Sequence, residues 1–186
     1  MTGKIHPEQT ALLVIDMQNG FVEAGSPLCV TRARQTIPAL QEALNLARKA
    51  GIQIFWVCRR HAADGSDMER FRKEKLEKAG CLDLFAPESW GIALAGGLEK
   101  EDGDQIVWKK RFSAFFETGL EAKLKEAGIQ TPNCVRATAI DALQKGYETI
   151  VLASCTSSMT PVIQQSNLDD MENAGIAIAG QLRDLL

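Results

Sequence analysis

Nothing in this sequence of 186 residues reads as a membrane span, a disulfide framework or a nucleic-acid-binding stripe. No apolar run approaches the ~20 residues needed to cross a bilayer. The N-terminus, MTGKIHPEQT, is polar where a signal peptide has an apolar core. The five cysteines, at 29, 58, 81, 134 and 155, are odd in number and lack CxxC spacing, which leaves no disulfide set or zinc site. Basic residues do not dominate either. With 21 Lys and Arg against 24 Asp and Glu, the net charge is −3 with mixed signs, so nucleic acid is not an expected partner. Repeats, low-complexity tracts and linkers are missing too. These absences lead us to expect a cytoplasmic protein with no membrane partner, in a reducing compartment.

What is present suits one globular domain: 45% hydrophobic and 24% charged residues, in a chain long enough to bury its own core. Ala11 to Ile15 (ALLVI) is a continuously apolar run, the mark of a strand covered on both faces, and it ends in Asp16. A carboxylate there lies at the carboxyl edge of the sheet, where open α/β folds gather functional groups; the plainer role is a turn or cap. Ile37, Leu40, Leu44 and Ala47 recur at helical spacing between Thr36-Pro38 and Gly51. Ile52 to Cys58 reads as a second buried strand, followed by Arg59-Arg60-His61. The charges from Glu69 to Lys78 alternate in sign as on a solvated helical face. Cys81 to Gly103 reads as an irregular excursion over the site, with Trp90 a packed loop residue. Gln105 to Trp108 is a third strand running into Lys109-Lys110-Arg111. Strand alternation sends Lys109 and Lys110 to opposite faces, so only one of them can lean over the edge that holds Asp16.

Strand and helix alternate to this point, as in a parallel sheet built of βαβ units. The helix over Leu120, Leu124 and Ala127 stops at Gly128, and a strand is then due. Only Ile129-Gln130-Thr131-Pro132-Asn133 precede the helix that begins at Cys134, too few for a usual strand of ~5–6 residues plus a turn. Beyond it, Tyr147 to Ala153 is a strand, Thr160-Pro161 opens a helix, and Ile176 to Ala179 is a last strand. Cys134 itself sits in the first turn of its helix, where free amide groups and the helix dipole favour thiolate. A cysteine taken at random is more often a small buried hydrophobe.

Three stretches, LLVIDMQNGF, VWKKRFSAFFETGLEAKL and QTPNCVRATAIDAL, together resemble the cysteine hydrolases of the isochorismatase-like superfamily, which includes the nicotinamidases. The resemblance spans nearly the whole chain. It implies a doubly wound α/β fold of Rossmann-like type, a mostly parallel sheet with helices on both faces, in a single domain over 1–186. It also implies an Asp–Lys–Cys triad falling on Asp16, Lys109 (with Lys110 as runner-up) and Cys134. The backbone N–H groups of Cys134 and Gln130 would form the oxyanion site, next to a cis peptide between Ile129 and Gln130. Phe21, His61 and Phe115 are expected along the substrate pocket.

The sequence departs from the family in four places. Relatives carry a strand before the cysteine turn, so near 128–130 either one strand has been deleted or the sequence as given is a strand short. Metal-dependent nicotinamidases place Asp-x-His after the second strand; here the segment is Cys58-Arg59-Arg60-His61, so no metal and no other cofactor is expected, and nicotinamide becomes a less natural substrate. Ser154-Cys155 stand where relatives often have Asp-Ala, and the tail Gln181 to Leu186 matches nothing in the family. The implied activity is metal-independent cleavage of a C–N bond in a small amide, ureide or carbamoyl substrate through an acyl-enzyme. The alternative is an inactive relative that binds a small molecule or serves as an oligomeric scaffold. Family members are commonly oligomers, so a dimer or tetramer is expected.

Overall fold

The computed structural model describes residues 4–124 and 134–186. β1 (Ala11–Ile15) is buried at all five positions and pairs in parallel with β2 (Gln53–Arg59), from Ala11 opposite Gln53 to Ile15 opposite Val57. β2 pairs in parallel with β3 (Gln105–Lys109), ending with Arg59 opposite Lys109. This register brings Asp16, Arg59 and Lys109 to one end of the sheet. Further on, β4 (Ile150–Leu152) and β5 (Ala177–Ala179) form a second parallel pair. The domain is thus α/β with parallel strands, as expected. Among the described residues the strands fall into two groups, β1-β2-β3 and β4-β5, rather than one sheet. The place where a strand seemed to be missing, with Ile129 and Gln130, lies outside the described residues.

The helices follow their sequence signals. α1 (Asn19–Val22) is a single turn after β1. α2 (Ile37–Ala50) turns Ile37, Leu40, Ala43, Leu44 and Ala47 inward and stops at Gly51, whose φ of 75° is left-handed and cheap only for glycine. α2 packs on alternate residues of the sheet, Leu12, Val14, Ile54, Trp56 and Cys58. Leu152 of β4 and Ala179 of β5 join this same cluster, so one core spans both strand groups. The opposite face, Ala11, Leu13, Ile15, Phe55, Val57 and Val107, is covered by α4 (Leu120–Leu124) and by Val135 of α5 (Cys134–Gln144). Alternation with a period of two therefore fills both layers. α6 (Pro161–Asn173) is capped by Thr160, whose hydroxyl accepts from Ile163 N, and packs Leu168 and Met171 against Ala139 and Val151.

Two readings need correction. The strand expected over Tyr147 to Ala153 forms only at Ile150–Leu152; Tyr147 N instead bonds Ala142 O as the chain leaves α5, and Ala153–Cys155 make a 3-10 turn. Trp90 is not packed: it is 55% exposed, at the edge of a strap running from Trp90 to Ala95. That strap lies along residues 17–19, joined by Asn19 N to Ala93 O and Ala95 N to Met17 O, both 2.9 Å.

Candidate active site

Asp16 leaves β1 with φ of 55°, a left-handed conformation that aspartate tolerates better than most residues and that is enriched where strain serves a site. Its Oδ2 accepts from Lys109 Nζ at 2.8 Å. β3 is an edge strand with Ile106 and Trp108 partly exposed, while Val107 and Lys109 turn inward, so alternation delivers Lys109 (1% exposed) to the buried side. Lys110 points outward and pairs with Asp67 at 3.0 Å. The Lys109 ammonium also donates to Arg111 O and Phe112 O, each at 3.2 Å. All three of its protons are thereby committed, and it holds the carboxylate from below without a free donor for a ligand.

Arg59, at the end of β2, is the residue that the sequence did not flag. It is wholly buried. Its guanidinium donates to Lys110 O and Arg111 O, both at 2.9 Å, and lies 3.3 Å from Glu69 Oε1. One terminal nitrogen is 3.7 Å from Cys134 Sγ. Gln18, also fully buried, fixes the Arg59 backbone: its Nε2 donates to Arg59 O (2.9 Å) and Ile92 O (2.9 Å), and its Oε1 accepts from Arg59 N (2.6 Å). Glu69 is shared, since its Oε2 also accepts from Arg72 Nε at 3.0 Å. The run from Glu69 to Lys78, α3 over Arg70–Lys78, is thus more than a solvated face: Arg72 and Leu76 both turn inward. Their i,i+4 spacing was the available clue.

The electrostatics follow from these contacts. Burial alone would raise the Asp16 carboxyl, but Lys109 first, then Arg59, then the Cys134 thiol pull it below its ordinary value. Among the described residues the Oδ1 of this carboxylate has no nitrogen or oxygen partner, and the thiol of Cys134 is the further polar group acting on it. Cys134 departs from expectation. Burial, and next the Asp16 charge, push its thiol above the ordinary value despite the opposing Lys109 and Arg59. At rest the proton therefore sits on sulfur and the charge on Asp16.

Of the expected pocket residues, Phe21 stacks on Phe85 with centroids 4.6 Å apart. Phe115 packs against the apolar layer under α4 and α5 and faces Tyr147 at 6.1 Å. His61 is instead enclosed. Its Nδ1 meets Asp67 Oδ1 at 3.0 Å and its Nε2 lies 3.5 Å from Arg59 Nη1, so the ring braces those two groups and presents neither nitrogen to a ligand. Burial, then Arg59, lower its pKa and keep it neutral. A guanidinium beside the imidazole is a poor donor set for a cation. The oxyanion partner Gln130 lies outside the described residues.

Comparisons with known proteins bear on the family and the fold. The family described as isochorismatase domain matches residues 10–181. A probable inactive nicotinamidase of Arabidopsis thaliana is 40% identical over 179 residues, covering 90% of this chain and 90% of its own length. A ureidoacrylate amidohydrolase of Stutzerimonas stutzeri is 31% identical over 191 residues, covering 88% and 76%. The crystal structure of a protein of the same family from Desulfovibrio vulgaris superposes with a TM-score of 0.86 at 35% identity, over 96% of each chain.

Proposed function

Because this chain belongs to the isochorismatase family, we propose that it is a metal-independent thiol amidohydrolase acting on a small amide, ureide or carbamoyl group, with Asp16, Lys109 and Cys134 as its triad. The observation that carries this is the buried Asp16–Lys109 pair, 2.8 Å, set against a thiol that the same carboxylate influences. As Sγ adds to the carbonyl carbon, Asp16 takes the thiol proton; when the C–N bond breaks, that proton leaves on the amine. Water then cleaves the thioester, giving the acid and regenerating the thiol. Lys109 keeps Asp16 ionised and aimed, and Arg59 stabilises negative charge as it develops on sulfur. The Cys134 N–H, with Gln130, is the proposed oxyanion donor. An oligomer, dimer or tetramer, belongs to the same reading.

The test is ammonia release from a panel of small amides and N-carbamoyl compounds in the presence of EDTA, with intact-protein mass spectra of quenched reactions. An acyl adduct on Cys134, lost in Cys134→Ser, supports the reading. No ammonia and no adduct from any probe would leave the second reading, a non-catalytic relative that binds small molecules. The Arabidopsis relative's name favours that alternative.

A further inference from the structure

We infer that Thr138 is a positioning residue for the nucleophile, tying the first turn of α5 to the loop that Lys109 holds; this rests on the hydrolase reading above, in which Cys134 carries the chemistry. Thr138 lies one turn along α5 from Cys134 and is wholly buried. Its hydroxyl donates to Cys134 O and accepts from the backbone N–H of Ala114 at 2.9 Å. A threonine hydroxyl that returns to the carbonyl four residues back is common in helices and by itself says nothing. The second bond is different, because it reaches a loop 24 residues away in sequence. The one hydroxyl proton is committed to Cys134 and a lone pair to Ala114, so the side chain works as a link between two segments.

The loop at the far end of that link is itself held. Ala114 is wholly buried, and its carbonyl accepts from Thr118 Oγ1, so both of its backbone polar groups end on threonine hydroxyls. Phe115 N closes the same loop onto Ser113 Oγ at 3.1 Å. Just before it, Arg111 O and Phe112 O accept from the Lys109 ammonium, which also holds Asp16 Oδ2. Hydrogen bonds and a short stretch of backbone therefore lead from Asp16 through Lys109 and residues 111–114 to Thr138 and Cys134 O. Arg59 is fastened to the same loop by Lys110 O and Arg111 O, and one of its nitrogens lies 3.7 Å from Cys134 Sγ. The carboxylate, the two cations and the turn that carries the sulfur thus share one brace. Thr138 touches none of the reacting atoms. It acts through Cys134, by setting where Sγ stands relative to the groups that govern its proton, and small displacements of a reacting atom are costly.

The test compares Thr138→Val, which keeps the shape and removes the hydroxyl, with Thr138→Ser, which keeps the hydroxyl, both in the full chain and at a temperature where circular dichroism shows them folded. The first readout is alkylation of Cys134 by iodoacetamide across pH, followed by intact mass, and it needs no turnover. In Thr138→Val the midpoint should fall toward the ordinary 9.0, because the sulfur moves away from Asp16 and out of its burial; Thr138→Ser should keep the wild-type midpoint. The second readout is hydrolysis of propionamide. Thr138→Val should lower kcat by roughly ten- to a hundredfold with KM little changed, and Thr138→Ser should recover most of it. A merely structural threonine would lower Tm and leave the midpoint and kcat of the folded protein alone. That result, or a serine variant as impaired as the valine one, overturns the proposal. Should Thr138→Val not fold, Thr118→Val frees the other side of Ala114 without touching α5. It should move the midpoint the same way, and no movement refutes the brace. If wild type does not hydrolyse propionamide, the alkylation comparison alone decides, so failure of the hydrolase reading and failure of this one remain distinct.

Discussion

Replacing Lys109 with methionine tests whether the Asp16 carboxylate depends on a single buried ammonium. The variant keeps the side-chain length and packing but removes three hydrogen bonds, to Asp16 Oδ2, Arg111 O and Phe112 O. Asp16 is then left as a buried anion that faces Arg59 and the Cys134 thiol. Removing one member of a buried pair costs about 3–5 kcal/mol, a large share of the ~5–15 kcal/mol that holds a typical domain together. With a urea m-value of about 2 kcal/mol/M, the unfolding midpoint should drop by roughly 2 M at pH 7. The pH dependence gives a second check. In wild type the Asp16 pKa lies below the ordinary 3.8, so its stabilisation is complete above that value and is lost as pH falls through the lowered one. Without Lys109, burial is opposed mainly by Arg59, the carboxyl rises, and the variant's deficit should shrink between pH 7 and 5. Lys109→Met/Asp16→Asn should be more stable than Lys109→Met alone, because no charge is left stranded. A deficit under about 1 kcal/mol, below any buried-pair cost, or a double variant no better than the single, would refute the reasoning.

Other outcomes follow from the same geometry. Cys134 should label slowly with iodoacetamide at neutral pH, with a midpoint above the ordinary 9.0; Asp16→Asn should lower that midpoint and Arg59→Met raise it, and a wild-type midpoint well below 9.0 contradicts the charge arrangement. Gln18→Leu strands the Arg59 N–H and two carbonyls, for a loss of about 3 kcal/mol, visible as a Tm lower by roughly 6–12 °C. Gly91→Ala places a Cβ 2.2 Å from Leu84 O, so the strap must move; calorimetry should show a loss of about 1–3 kcal/mol.

The strands and helices were legible where one period dominates. ALLVI is buried at every position, and α2 shows an uninterrupted 3.6-residue stripe ending at a left-handed glycine. Alternation left open which lysine turns inward, and the buried face of β3 takes Lys109, the residue that the family resemblance favoured. The cluster around the sulfur was not legible, for a physical reason. Arg59 looks like the first cation of an exposed turn, and its burial depends on Glu69 and two carbonyls 10 to 52 residues away. Arg72 was hidden in alternating charge, since sign patterns record nothing about which helix face is covered. His61 looked like a pocket residue because a histidine's role depends on what meets its two nitrogens, and here both are engaged within the fold.

The thiol's direction of shift changes how the cluster should be understood. The first turn of a helix was expected to favour thiolate, yet burial and an ionised Asp16 outweigh even the two cations found beside the sulfur, Lys109 and Arg59. A carboxylate kept ionised beside a protonated thiol is an acceptor waiting for a proton, and the transfer becomes favourable only when sulfur gains a carbonyl carbon to bond. On that argument Arg59 and Lys109 matter most as charge moves from Asp16 toward the adduct, because a donor aimed at sulfur gains strength as the sulfur becomes negative.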